Sequence, residues 1–160
     1  MSTTAIQTET TAQKTGTVDF KLEVAIIPVA DADRAKQFYT RLGWREDADF
    51  PISEGHRVLQ FTPPGSLASI IFGTGVTKAI PGSAENLLAV SDVEAARAEL
   101  IDRGVDVSEV FHGLAFSDTE ATRVPGPDPE RKSYSSYATF SDPDGNEYLL
   151  QELTDRLPGR

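Results

Sequence analysis

Proton transfer near neutral pH has few places to reside in this sequence. Its two histidines, His56 and His112, are the side chains whose ordinary pKa lies there. His56 paired with a carboxylate such as Glu85 would form a general acid–base couple that needs no metal. The blander readings are a surface histidine at a strand start, beside Glu54 and Gly55, and a solvated glutamate at a strand end. His112 borders a long polar stretch and could close over a ligand or lie exposed in a loop. Asp142, Asp144 and Asn146 have the alternate spacing of a calcium loop. Gly145 and Leu153 fall where such a loop does not want them, so the segment reads as a turn.

Composition removes whole classes of chemistry. With no cysteine, the chain has no disulfides, thiolate metal sites, iron–sulfur clusters or cysteine nucleophiles. Its 25 acidic and 15 basic residues give a net charge of -10, which repels phosphate backbones and anionic lipid. Nucleic acid and membranes are therefore not expected partners. No apolar stretch approaches the roughly 20 residues that span a bilayer. Residues 1–19 lack the basic and apolar regions of a signal peptide and read as a disordered tail on a cytoplasmic protein.

The elements that must position any site come from an internal repeat. Val29, Asp31, Asp33, Ala35 and Gly43 recur at constant offset as Val90, Asp92, Glu94, Ala96 and Gly104. Each set follows a short aliphatic run, Val24–Ile27 or Leu87–Val90, of strand type. Asp31 and Asp92 are placed to cap helices, and Gly43 and Gly104 to end them. Ala35, Phe38, Tyr39 and Leu42 share one helical face, as do Val93, Ala96, Leu100 and Ile101. Strands follow in each half: 57–61 and 68–72, then 135–140 and 148–153, each pair joined by a turn carrying Pro and Gly. The order is strand, helix, three strands, twice over. This predicts an α+β fold of two βαβββ modules, residues 20–80 and 81–154, forming an open, trough-like mixed sheet, with 155–160 as a tail. The polar, Pro/Gly-rich insertion 112–131 interrupts the second module as a lid, a mobile loop or a tolerated surface excursion.

At this point the sequence resembles a known family. Residues 28–39 (PVADADRAKQFY), followed by Leu42, Gly43 and Trp44, and residues 140–146 (FSDPDGN) are similar to motifs of the vicinal oxygen chelate superfamily. This is the superfamily of glyoxalases, bleomycin-resistance proteins and extradiol dioxygenases, and the resemblance spans about residues 20–154. It implies paired modules around a trough, often as homodimers. In the enzymes a divalent metal is held there by His and Glu from the first and last strands of each module. The corresponding positions here are Val24, Glu85, Ser69 and Leu149, of which Glu85 alone is a good ligand. The expectation is accordingly no cofactor, with an off-pattern divalent metal as the alternative.

Strand alternation supplies the rest of the trough. Val24 and Ile26, Glu85 and Leu87, Ser69, Leu149 and Gln151 would line it, joined by His56, Val58 and Gln60 and by Tyr137. These positions predict apolar walls with sparse polar groups, the make-up of a small-molecule pocket. The expected function is metal-independent binding of an apolar or natural-product-like ligand. The alternatives are a lyase or isomerase using His56 and Glu85, and a ligand-free structural or regulatory dimer.

Overall fold

The computed structural model describes residues 13–114 and 120–158, so parts of the expected tails and five residues of the insertion, 115–119, lie outside it. Among the described residues two α-helices and nine strands follow one another as β1 (Val24–Ile26), α1 (Ala32–Arg41), β2 (Arg45–Ser53), β3 (His56–Thr62), β4 (Ser69–Thr74), β5 (Glu85–Val90), α2 (Val93–Asp102), β6 (Phe111–Gly113), β7 (Arg123–Pro125), β8 (Tyr137–Ser141) and β9 (Glu147–Glu152). The fold is α+β, with two open mixed sheets ordered β1-β4-β3-β2 and β5-β9-β8-β6-β7. In each, the first strand runs parallel to the last and forms one edge.

Both helices begin as their sequences dictate. The Asp31 side chain accepts from the Arg34 amide at 3.0 Å, and that of Asp92 from the Ala95 amide at 3.0 Å. Gly43 and Gly104 each take φ 78°, the left-handed value that lets the chain leave a helix. The faces differ, however. Ala35, Phe38, Tyr39 and Leu42 are buried, whereas Ile101 of α2 is 44% exposed. Ile101 therefore does not share the packed face of Val93, and α2 covers its sheet less fully than α1 does.

Strand β2 (REDADFPIS) carries charge and proline where a central strand would be apolar. It is tolerated because it is a sheet edge. The Asp49 carboxylate ties it down, accepting both Arg57 Nε and Nη2 at 2.9 Å and Lys36 Nζ at 2.8 Å. The insertion is not simply a loop. β6 and β7 pair through His112 and Val124, and Phe111 pairs with Tyr137, adding a fifth strand to the second sheet. Short strands amid Pro and Gly give little periodic signal, so tertiary contact with β8 decides their state. Residues 115–119, within this insertion, lie outside the described residues.

One core serves both modules. Tyr39 of α1 lies 6.2 Å from Phe61 and 5.1 Å from Phe72 of the first sheet, ring centre to ring centre, and 6.3 Å from Tyr148 of the second. Its hydroxyl meets the Tyr148 hydroxyl at 2.8 Å and donates to Asp142 Oδ2 at 2.9 Å. Fully burying rings of this size contributes roughly 1.5–3 kcal/mol each. The turn at 142–146 is a clasp between modules. Asn146 Nδ2 donates to the Pro28 carbonyl, Asn146 Oδ1 accepts from Ala84, and Asp144 Oδ1 accepts from both the Ala30 amide and Arg34.

Candidate ligand-binding site

Alternation in the strands separates two faces on each sheet. Leu59, Phe61, Ile70 and Phe72 point into the core, as do Ala138, Phe140, Tyr148 and Leu150. The opposite faces carry the residues expected to line a trough. On the first sheet these are Val24 and Ile26 (β1), Ser69 (β4), and His56, Val58 and Gln60 (β3). The register sets Val24 beside Ser69, and Phe50 and Ala48 of β2 beside Val58 and Gln60. Ile26 is 50% exposed and Phe50 62%, large apolar side chains on an open sheet face.

One end of this face is polar. Ser69 Oγ lies 2.6 Å from Thr62 Oγ1, which also bonds the Asp47 carboxylate, and Arg45 Nε reaches Asp47 at 2.5 Å. The Arg45 bond, reinforced by that from Thr62, holds the Asp47 carboxyl below its ordinary pKa. Asp47 sits at an irregularity in the β2–β3 register, and nothing in strand periodicity marked it.

On the second sheet, Leu87 pairs with Leu149, Thr139 with Leu149, and Gln151 with both Ala89 and Tyr137. Leu87 is 42% exposed, while Tyr137 and Gln151 are buried. A backbone group explains their burial: the Tyr134 carbonyl accepts from Tyr137 Oη at 2.5 Å and from Gln151 Nε2 at 3.1 Å. Tyr134 holds a left-handed φ of 71°, which costs a residue with a side chain something to adopt. The segment is anchored just upstream by Arg131, whose Nε and Nη2 reach the Glu152 carboxylate at 3.1 and 2.7 Å. Beyond Tyr137 stands Phe111, ring centres 5.5 Å apart, with the Arg123 guanidinium 4.3 Å from the Phe111 ring centre. Phe111 and Arg123 lie in the insertion and its approach, where no strand was legible.

The proposed acid–base pair is not brought together within the chain. His56 opens β3 on the first sheet, opposite Ser53, and Glu85 opens β5 on the second, opposite Glu147. No hydrogen bond or ion pair links them among the described residues. The four family metal positions also fit a chelated cation poorly. Val24 and Leu149 offer no lone pair and the Ser69 hydroxyl is tied to Thr62, which leaves Glu85, paired beside Glu147, as the one good donor of the four. Among the described residues no group of three or more His, Cys, Asp or Glu side chains gathers.

Among the described residues no strand of one sheet pairs with a strand of the other, so the outward faces are not joined into one surface by strand pairing. Among the described residues β1 and β5 each keep an edge that no strand pairs. Among the described residues no helix is long and apolar enough to cross a membrane.

Comparison with known proteins agrees with this architecture. Residues 21–149 match the profile of the Glyoxalase/Bleomycin resistance protein/Dioxygenase superfamily. No match was found among curated proteins. Of solved structures, TnmS3, an antibiotic binding protein from Streptomyces sp. CB03234, is 30% identical with TM-score 0.64, over 86% of this chain and 99% of that one. A glyoxalase/bleomycin resistance protein from the same Streptomyces is 31% identical with TM-score 0.61, over 82% and 100%. A superfamily member from Sphaerobacter thermophilus DSM 20745 shares the fold at 24% identity, TM-score 0.61, over 84% and 98%.

Proposed function

Because the chain belongs to the glyoxalase/bleomycin resistance protein/dioxygenase superfamily, we propose that it binds a small, largely apolar molecule of the antibiotic or natural-product kind, without a metal, on its concave sheet faces. The observation that carries this reading is the exposure of Ile26, Phe50 and Leu87 on the faces turned away from the core. Apolar surface presented on a concave sheet, with few polar groups between, gives affinity through burial and orientation through the sparse polar contacts. The poor donor set at Val24, Ser69 and Leu149 favours binding over metal chemistry, and the similarity to an antibiotic binding protein is in the same direction.

In this reading a second copy completes the trough. The two concave faces of one chain flank a common core, and the free edges of β1 and β5 are where a partner sheet would join. The absence of cysteine suits action in the reducing cytoplasm.

Melting curves in the presence of a panel of antibiotics and related natural products test the proposal. A ligand at about 100 times its Kd adds roughly 2.7 kcal/mol of stability, and that shift should survive exhaustive chelation. A panel that leaves the melting temperature unmoved, or a shift abolished by chelator, would overturn it.

A further inference from the structure

Asp47, Thr62 and Ser69, at the polar end of the first sheet's outward face, form a hydrogen-bond relay whose direction follows from its protons. A hydroxyl has one proton to give and lone pairs to accept with, whereas an ionised carboxylate only accepts. Asp47 is held in its ionised form by Arg45, whose Nε donates to Oδ1 at 2.5 Å, and then by Thr62. The Thr62 proton goes to Asp47 Oδ2. With that proton committed, Thr62 Oγ1 accepts across its 2.6 Å contact with Ser69 Oγ, and Ser69 is the donor.

Ser69 therefore has no proton left to give. Its oxygen keeps its lone pairs, and among the described residues no other side chain bonds it. It shares a face with Val24, its partner in register, while Thr62 beside it is buried. Reversing the relay would break the bond from Thr62 to the carboxylate, and such charge-assisted bonds are roughly twice as strong as neutral ones. Asp47 thus sets the order of the hydroxyls. Gln60, two residues before Thr62 on the same face of β3, carries both donor and acceptor atoms and suits either kind of ligand group. Arg45 and Asp47 offset one another in charge, so the pair has no net pull on an ammonium group.

We infer that Ser69 is a one-way hydrogen-bond acceptor, and that the ligand of this face sets a neutral donor, a phenolic or alcoholic hydroxyl, against it. This rests on the small-molecule binding proposed above and names one group that the ligand carries. A ligand with an ether or carbonyl oxygen at that point brings lone pairs against lone pairs with no proton between them, and is rejected. Asp47 and Thr62 are positioning residues for that choice, since they fix where the Ser69 proton points.

Naphthol and its methyl ether are flat, apolar probes that differ in that proton. By calorimetry the parent chain should bind the naphthol at least about tenfold more tightly than the ether. Ser69→Ala should weaken the naphthol and leave the ether as it was. Asp47→Asn carries the decisive sign. Arg45 Nε, a donor, keeps the new amide's oxygen at the Oδ1 position, which turns its N–H group onto Thr62. The Thr62 proton then passes to Ser69, and Ser69 gains a proton to give. The ether should bind this variant more tightly than it binds the parent, bringing the two probes within about twofold. A purely structural role for Asp47 would instead weaken both probes together. That result, equal binding of the two by the parent, or binding of neither, overturns the inference. Melting shifts with the antibiotic panel read the binding proposal separately: shifts there without discrimination between the probes would leave binding in place and remove the one-way acceptor.

Discussion

Asn146 donates from Nδ2 to the carbonyl of Pro28 at 2.8 Å, closing a separation of 118 residues. The same amide donates to Asp142 at 2.7 Å, and its oxygen accepts from Ala84 at 3.0 Å, with the side chain wholly buried. The contact thus joins the connection after β1 to the turn before β9 and fixes the two modules about their shared core. Replacing Asn146 by Ala leaves the Pro28 carbonyl and the Ala84 amide without their side-chain partner. Loss of about 2–4 kcal/mol is expected, measured by urea unfolding. A change below about 1 kcal/mol would show that the clasp is not what holds the modules.

Ile26 and Leu87 make the opposite prediction. Both are exposed on faces turned away from the core, so Ile26→Asp and Leu87→Asp should move the melting temperature of the free protein little, within about ±0.5 kcal/mol. Each should weaken ligand-induced stabilisation by about tenfold in apparent Kd, since a charge is brought to an apolar contact. Parallel titrations of free and substituted protein with the best compound of the panel decide the matter.

His56→Ala and Glu85→Gln distinguish binding from acid–base chemistry. The two side chains share no bond within the chain, and the apolar surface does not depend on them. Ligand stabilisation should therefore stay within about twofold of the parent. If either change abolishes conversion of a compound while sparing its binding, the lyase or isomerase reading replaces the present one.

Acid and alkali should each destabilise the fold for identifiable reasons. The Arg131 guanidinium, and then the Val93 amide, hold the Glu152 carboxyl below its ordinary value of 4.5. Arg57 and then Lys36 hold Asp49 well below 3.8. Between folded and unfolded pKa values the unfolded chain binds more protons, so this stability is in place above about pH 4.5 and drains as pH falls below it. Glu152→Gln should remove part of that acid limb. Burial pushes the Tyr39 and Tyr148 hydroxyls above their ordinary 10.0. There the unfolded chain loses protons first, so stability falls as pH rises past 10.0. Urea midpoints across pH, with tyrosinate absorbance, check both signs; a flat acid limb in the parent protein would contradict the first.

Local chemistry made much of this protein legible in advance. Asp31, Asp92, Gly43 and Gly104 announce two helices because caps and left-handed exits are satisfied by neighbours in the chain. The alternation around Phe61, Phe72 and Phe140 sorts core face from outward face because a strand's side-chain period is fixed. The sequence also determined that Val24 and Leu149 cannot hold a metal, since that follows from what the side chains lack.

Register, long-range pairing and the relation of the faces belonged to the tertiary structure. Glu85 pairs with Glu147, and Leu149 with Leu87, a register that counting from Gly65 and Gly145 does not reveal. β2 and β7 carry edge-strand compositions that pairing, not propensity, makes into strands. Tyr137 and Gln151, legible as lining residues, turn their polar ends to the Tyr134 carbonyl, a partner that only folding supplies. Above all, that both sheets turn their buried faces to one core, with Tyr39 at its centre, depends on hydrogen bonds more than 100 residues apart. Such contacts leave no periodic trace in the chain, because the residues that satisfy one another meet only when it has folded.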